Sequence, residues 1–142
     1  MDFKKLFIGG IVGGILFFLL GWLIYGKLMA GFFMDHPGEV AIVERAQNDM
    51  QFLYISLGSL FQGFLLAFIF VKANVGTAVS GFITGGVVGG LSVAGIDCIM
   101  YGTSKMLSKM AMAGDIVAAA VMSAVIGAIV GLVMGMGKKQ PS

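Results

Sequence analysis

The sequence is poor in charged residues, and this shortage decides the class of protein. Only 11% of its 142 residues are Asp, Glu, Lys or Arg, whereas 58% are hydrophobic and the mean hydropathy is +1.00. A soluble domain has roughly 25% charged residues and needs them to cover its water-facing surface. The chain is therefore predicted to be an integral membrane protein with a single domain, and its first partner is the lipid bilayer.

Cysteine, histidine and net charge are also scarce, and each shortage excludes a class of function. The single cysteine, Cys98, cannot form an intramolecular disulfide. With one histidine, His36, the chain has no Ser/His/Asp or Cys/His constellation, and its methionines have no spacing that indicates haem or copper. The net charge of +2 is too small to indicate a nucleic-acid partner. We therefore predict no enzyme activity and no cofactor.

Four long apolar runs predict an all-α bundle of four membrane-spanning helices. Each run has about the 20 residues that a helix needs to cross the bilayer core. Lys4 and Lys5 precede the first run, as in a signal peptide, but that run is too long for a signal-peptide core and lacks a small-residue cleavage site. It is therefore predicted to remain as a span. The predicted spans are about 6–25, 52–71, 76–101 and 114–136.

The connections between the spans are predicted to be short, with one exception. The polar segment 34–51 separates the first two spans, and the pattern over 39–50 favours a short surface helix. A tight turn over 73–75 predicts that spans two and three are antiparallel neighbours. Residues 103–113 contain two lysines among methionines, and they are predicted to form a helix that lies on the membrane surface.

The basic residues predict that both chain termini lie in the cytoplasm. Orientation follows the excess of Lys and Arg in short loops, and the first span usually dominates. In this arrangement five basic residues are cytoplasmic, four are on the other side, and segment 34–51 lies outside. The five are Lys4, Lys5, Lys72, Lys138 and Lys139.

Glycine, in contrast, is abundant, and it recurs every four positions in three of the four predicted spans. Four residues are roughly one helical turn, so each row forms a strip without side chains along one helix face. Such strips let helices approach closely in lipid. Three strips are more than one small bundle needs internally, so we predict self-association into homo-oligomers. The glycines are Gly9, Gly13, Gly81, Gly85, Gly89, Gly127, Gly131 and Gly135.

Spans one and three resemble each other in sequence. A shift of 76 residues aligns Gly9–Gly26 with Gly85–Gly102, and seven of the eighteen positions are identical. Spans two and four do not align convincingly. Either a two-helix unit was duplicated, which places a pseudo-two-fold axis along the membrane normal, or glycine-rich helices are alike by composition. In the duplicated arrangement Gly21 corresponds to Asp97.

The few polar side chains inside the spans are the candidate functional residues. Asp97 would cost about 2.5–3.5 kcal/mol at a span centre, so it needs a partner, water or a task. One interpretation is that Asp97 is a site for an ion or a proton. The other is that Asp97, which lies four residues before the interfacial Tyr101, already reaches headgroup water. Gln62 is predicted to hydrogen-bond to a neighbouring helix, and Asp115 to complement the N-terminus of span four. The conceivable partners of Asp97 are Lys27, Gln62 and Asp115.

One cluster outside the spans could hold a divalent metal. Asp35, His36 and Glu39 lie close together in the outer segment. A metal site usually needs a more enclosed set of ligands, and Asp-His-Pro-Gly is also ordinary turn sequence. The turn is the preferred interpretation, so no metal site is predicted.

The end of the first span carries a family resemblance. In LLGWLIYGKLM, residues 19–29, a bulky helix ends in Gly-Trp and Tyr-Gly follows at a membrane boundary. This resembles the first helix of DUF1761, a family of small four-helix bacterial membrane proteins of unknown function. The resemblance implies the four-span layout and the bacterial inner membrane, and it implies no known activity.

Two classes of function remain open. The chain is either a homo-oligomeric channel or transporter for an ion or small solute, with Asp97 as the polar site and Gln62 lining the path, or a non-catalytic scaffold. As a scaffold or accessory subunit of a larger membrane complex, it would use segment 34–51 to dock a membrane-protein partner. An enzyme acting on lipid is least supported, because the sequence offers no nucleophile–base pair.

Overall fold

The computed structural model describes residues 1–40 and 45–136, and in these ranges it is helical apart from turns and one isolated β-bridge. Helix α1 is continued by a π-helical stretch, and a single 3₁₀ turn precedes α3. The elements are α1 Phe3–Leu23, the π-helical stretch Ile24–Leu28, α2 Ala30–Asp35, the 3₁₀ turn Gln47–Asp49, α3 Phe52–Lys72, α4 Ala78–Thr103 and α5 Lys109–Gly135.

Four of these helices are long and apolar enough to cross a membrane. Their mean hydropathies lie between 1.7 and 2.6. They are Phe3–Leu28, Phe52–Lys72, Ala78–Thr103 and Lys109–Gly135. This confirms the predicted all-α bundle of four membrane-spanning helices. Helices α1 and α4 end, and α3 and α5 begin, at one end of the bundle, which we call the His36 end; the other is the Lys72 end.

Side-chain caps set the first residue of three helices. Asp2, Thr77 and Ser108 each accept a hydrogen bond at 3.1 Å from the backbone amide three residues further on. Such caps satisfy an amide that the first helical turn leaves without a partner. Because Ser108 is a cap, α5 begins at Lys109, earlier than the predicted start at 114.

Two predictions at the His36 end are therefore wrong. The expected surface helix over 103–113 does not form, since its second half is the first turn of α5 and only 104–108 connects the helices. Asp115 lies in the second turn of α5, so it does not complement the helix N-terminus.

The surface helix expected over 39–50 is absent from the described part of that segment. Residues 41–44 lie outside the described residues, Arg45 and Ala46 are not helical, and only Gln47–Asp49 forms a 3₁₀ turn. An exposed ion pair of 3.1 Å joins Arg45 and Asp49. This pair has the four-residue spacing that would support a helix, but exposed ion pairs contribute little to stability, so it does not extend the 3₁₀ turn into a full helix.

The helices pack as two pairs. Helix α1 lies along α3, α4 lies along α5, and contacts between α1 and α5 join the pairs. Helices α3 and α4 are connected by a short turn, in which Asn74 has a φ of 54°, yet they make few contacts. Spans two and three are therefore antiparallel, as predicted, but they are packed loosely against each other. The largest fully buried side chains between the pairs are Phe70, Ile126 and Val130.

Glycine lets the helices of each pair approach to backbone contact. A Cβ atom added to Gly85 would lie 2.9 Å from the Cα of Gly127, and one added to Gly13 would lie 3.1 Å from the Cα of Gly63. The remaining glycines of the three strips also lie against neighbours in the same chain; they are Gly9, Gly81, Gly89, Gly131 and Gly135. Because the strips are occupied within one chain, they no longer argue for homo-oligomers.

The two pairs share one contact register. The matching contacts are Gly10–Phe64 and Gly14–Leu60 in the first pair, and Gly86–Ala124 and Gly90–Ala120 in the second. A shift of 76 residues relates the first helices, as in the sequence, and a shift of 60 relates the second helices. This match favours duplication of a two-helix unit over likeness by composition.

Candidate functional site

Three polar side chains from three helices meet at the His36 end. Tyr25 lies in the π-helical stretch, where the Met29 amide donates to the Ile24 carbonyl at 2.7 Å. Such stretches are frequent at functional sites. The Tyr25 hydroxyl donates a 2.5 Å hydrogen bond to Oδ1 of Asp115 on α5. Asp97, near the end of α4, lines the same cavity as these two residues.

Asp97 is the most unusual side chain of the described chain. It is only 5% exposed, and its Oδ2 atom has no hydrogen-bond partner among the described residues. Asp97 is therefore shielded mainly by the protein itself. Asp115 lines the same cavity as Asp97, so the two carboxyls share one pocket. A carboxyl that is buried in a membrane-spanning bundle without a partner is costly, and a proton or a cation would offset its charge.

Of the three conceivable partners of Asp97, the structure brings only Asp115 to it. The Lys27 ammonium lies 5.4 Å from the centre of the Trp22 ring, in a cation–π contact at the surface. Gln62 is exposed on α3 and lines a second, deeper cavity that Asp97 does not line. The hydrogen bond predicted from Gln62 to a neighbouring helix does not form among the described residues. The described residues therefore place no Lys or Arg beside Asp97.

The cavity beside the cluster has a volume of about 560 Å³. Its walls combine the two carboxyls with aromatic and apolar side chains, and none of its described lining residues is Lys or Arg. We call it the outer cavity. The aromatic lining residues are Tyr25, Phe33 and His36, and the larger apolar ones are Met34, Val40, Met100, Met106 and Leu107.

Two chain segments form the wall of the outer cavity that is furthest from the bundle. Pro37 and Leu107 form an antiparallel bridge, and the Val40 amide donates to the Lys105 carbonyl at 3.2 Å. Gly38 fits between them because it has no side chain: an added Cβ would lie 2.5 Å from the carbonyl oxygens of Lys105 and Met106. The segments thus hold each other by backbone contacts.

The residues considered for a metal site serve this wall instead. Glu39 forms an exposed ion pair of 3.1 Å with Lys105. The Nδ1 atom of His36 lies 2.8 Å from the Phe32 carbonyl oxygen, and Asp35 is exposed. Among the residues that the structure describes, no three His, Cys, Asp or Glu side chains form a group able to hold a metal.

The deeper cavity lies between α3 and α4 and has a volume of about 250 Å³. Gln62, Ser92 and Ser123 supply its polar lining, and Tyr25 lines it as well as the outer cavity. Tyr25 therefore stands between the two cavities. The loose contact of α3 with α4 explains why a cleft remains here, whereas the glycine contacts close α4 against α5.

Sequence reasoning found Asp97 and Asp115 but missed Tyr25. Aromatic residues at the end of a span usually mark the membrane interface, which hides a buried role. The one available signal was the repeat, in which Tyr25 corresponds to Tyr101. Only Tyr25 of this pair faces a carboxylate of α5, because the position of Asp115 corresponds to Ile55 in α3.

Ser108→Ala is expected to lower stability, because Ser108 makes two contacts that hold this end together. Its side chain accepts from the Ala111 amide and donates to the His36 carbonyl at 2.7 Å. Loss of a cap together with a half-buried hydrogen bond should cost about 1–2 kcal/mol, measured by unfolding in a mixed SDS–detergent titration.

The matched control for that substitution is Ser59→Ala. The Ser59 hydroxyl makes only an exposed bond to the Ile55 carbonyl within α3, so its removal should leave unfolding unchanged. Equal unfolding curves for the two variants would show that Ser108 does not tie the segments together.

The fold and the site together define a class: a four-span helical membrane protein in which a buried and a half-buried carboxyl line one cavity, and a tyrosine separates that cavity from a second one. Comparison with protein-family models, with curated protein sequences and with solved structures finds no match to this chain.

Proposed function

We propose that this protein transports a small cation, or a proton, across the bacterial inner membrane, with Asp97 as the binding residue. The observation that carries the proposal is the Asp97 carboxyl, which is 5% exposed, has no partner for Oδ2 among the described residues, and shares a cavity with the Asp115 carboxyl. Ionisable groups within spans are costly, and they typically mark the path of an ion or a substrate.

The surroundings give each residue of the site a role. A cation that enters the outer cavity meets Asp97 and Asp115, which supply negative charge without a neighbouring Lys or Arg. To continue, it must pass Tyr25, whose hydroxyl is engaged with Asp115. Beyond Tyr25, Gln62 supplies a polar group in the deeper cavity. Two cavities separated by one side chain favour a carrier over an open pore.

The transport unit in this proposal is a single chain. The glycine strips that predicted self-association are occupied by contacts within one chain, so the proposal does not require a second copy. With both termini in the cytoplasm, as the basic residues predict, the outer cavity faces away from the cytoplasm. The DUF1761 resemblance agrees with the bacterial inner membrane and adds nothing on the transported species.

Asp97→Asn is expected to abolish transport. In proteoliposomes with an entrapped pH or Na⁺ indicator, the wild-type protein should dissipate a proton or Na⁺ gradient faster than protein-free vesicles. The asparagine keeps the shape and loses the charge, so the rate should fall by about tenfold or more, towards the protein-free rate.

The matched control for the transport assay is Asp35→Asn. Asp35 is exposed at the same end of the bundle, so its neutralisation should leave the rate unchanged. An Asp97→Asn rate equal to that of the wild type would refute the proposal. Wild-type vesicles that leak no faster than empty ones to H⁺, Na⁺, K⁺ and substituted ammonium ions would favour the scaffold alternative.

A further inference from the structure

We infer that the outer cavity binds an organic cation with an apolar or aromatic body, such as a substituted ammonium. The inference rests on the proposed function, because it names the class of solute that would reach Asp97. Its first support is size. The outer cavity, at about 560 Å³, lies within the roughly 300–1,000 Å³ of small-molecule pockets, far more than a bare ion occupies.

The second support is the division of the cavity wall into an anionic part and an apolar part. Asp97 and Asp115 supply the anionic part, while Met100, Met106 and Leu107 supply a flexible apolar surface. Methionine side chains adapt to ligands of different shape. A small inorganic cation would not contact the apolar part of the wall, whereas an organic cation would contact both the carboxyls and the apolar side chains.

The third support is an aromatic pair beside the carboxyls. The rings of Tyr25 and Phe33 stack with their centres 6.1 Å apart and their planes 11° apart, and both rings line the cavity. Aromatic faces attract ammonium groups, and the attraction strengthens where water is excluded. Both rings thus border the cavity that holds the Asp97 carboxyl, where an ammonium group would lie near them.

The fourth support is that the nearby basic side chains are engaged elsewhere. Lys105 pairs with Glu39 at 3.1 Å on the outside of the wall, and Lys27 lies over the Trp22 ring. His36 is the remaining titratable side chain of the described lining, and its Nδ1 atom is engaged with a backbone carbonyl. The two carboxyls therefore have no Lys or Arg among the described lining residues to neutralise them.

The test is equilibrium binding of benzyltrimethylammonium to the purified protein in detergent, by isothermal titration calorimetry. Two further probes separate the contributions: tetramethylammonium carries the charge without the ring, and benzyl alcohol the ring without the charge. Benzyltrimethylammonium should bind at least about tenfold more tightly than either, because it alone uses both parts of the wall.

Variants localise the binding to the outer cavity. Asp97→Asn should weaken benzyltrimethylammonium binding by about tenfold or more, and Asp35→Asn should leave it unchanged. Met100→Trp fills the cavity and leaves both carboxyls in place, so it should also weaken binding. Each variant is checked first for wild-type unfolding in detergent.

Three results would overturn the inference: affinity unchanged by both Asp97→Asn and Met100→Trp, equal affinity for tetramethylammonium, or no binding of benzyltrimethylammonium. Loss of proton or Na⁺ flux in Asp97→Asn without benzyltrimethylammonium binding would leave the transport proposal standing and refute this one. Benzyltrimethylammonium binding that depends on Asp97, together with flux that does not, would refute the transport proposal and leave the binding inference standing.

Discussion

Gly127→Leu is expected to force α4 away from α5 and to destabilise the protein by about 3 kcal/mol. A Cβ atom at Gly127 would lie 3.0 Å from the carbonyl carbon of Gly81 and 3.0 Å from the Cα of Gly85. These are backbone atoms, which cannot rotate away as a side chain can, so the helices must separate and lose their packing. Unfolding in a mixed SDS–detergent titration measures the loss.

Gly95→Leu is the matched control for this prediction. Gly95 lies in α4, the helix that packs against Gly127, but an added Cβ there meets no atom within 4 Å, so a leucine should point into lipid at little cost. Equal destabilisation by the two substitutions would mean that the glycine strip does not hold α4 and α5 together.

Tyr25→Phe is expected to destabilise the His36 end by about 1–3 kcal/mol. The substitution removes one hydroxyl, and with it the 2.5 Å hydrogen bond that the half-buried Asp115 accepts. An acceptor that is shielded from water and loses its donor destabilises the fold by its full desolvation penalty. That penalty is larger than the net stabilisation that the hydrogen bond contributes. The same mixed-micelle unfolding titration measures the difference.

Tyr101→Phe is the control that the repeat provides. Tyr101 corresponds to Tyr25 in the second pair, and it is 39% exposed, so loss of its hydroxyl should leave unfolding unchanged. In a double-mutant cycle, Asp115→Leu should cancel most of the effect of Tyr25→Phe, because the unsatisfied acceptor is gone. Additive effects in that cycle would show that the two side chains act independently.

The sequence predicts the spans well, because hydropathy and flanking polar residues carry that information directly. The second span, predicted over 52–71, is observed at Phe52–Lys72. The start of the fourth span was misplaced because Lys109 suggested an interface, although Ser108 is a favourable N-cap residue. The Ser108 cap sets the start of α5, and the charge of Lys109 does not end the helix.

The glycine rows show what a sequence pattern leaves open. The four-residue spacing predicts a close helix approach, but it does not say whether the neighbour belongs to the same chain. The repeat is visible only in its first helices, since bulky Phe64 and Leu60 occupy the positions of Ala124 and Ala120 in the second. The shared register of the two helix pairs is defined by which residues touch, and the sequence alone does not contain that information.

The candidate site was predictable in part. A carboxyl inside a span is conspicuous in any sequence, so Asp97 and its possible link to Asp115 could be proposed. The role of Tyr25 could not, because it depends on the π-helical turn that aims the phenol at α5. The outer cavity depends on the backbone pairing of Pro37 with Leu107, which no short sequence motif encodes.

The most direct test of the central claim is charge movement through the reconstituted protein on a solid-supported membrane. A jump in proton or benzyltrimethylammonium concentration should give a current in the wild type and in Asp35→Asn. The account predicts that Asp97→Asn, assembled to the same level, gives no current above that of protein-free membranes. A current of wild-type size in Asp97→Asn would contradict the claim that a cation crosses at this carboxyl.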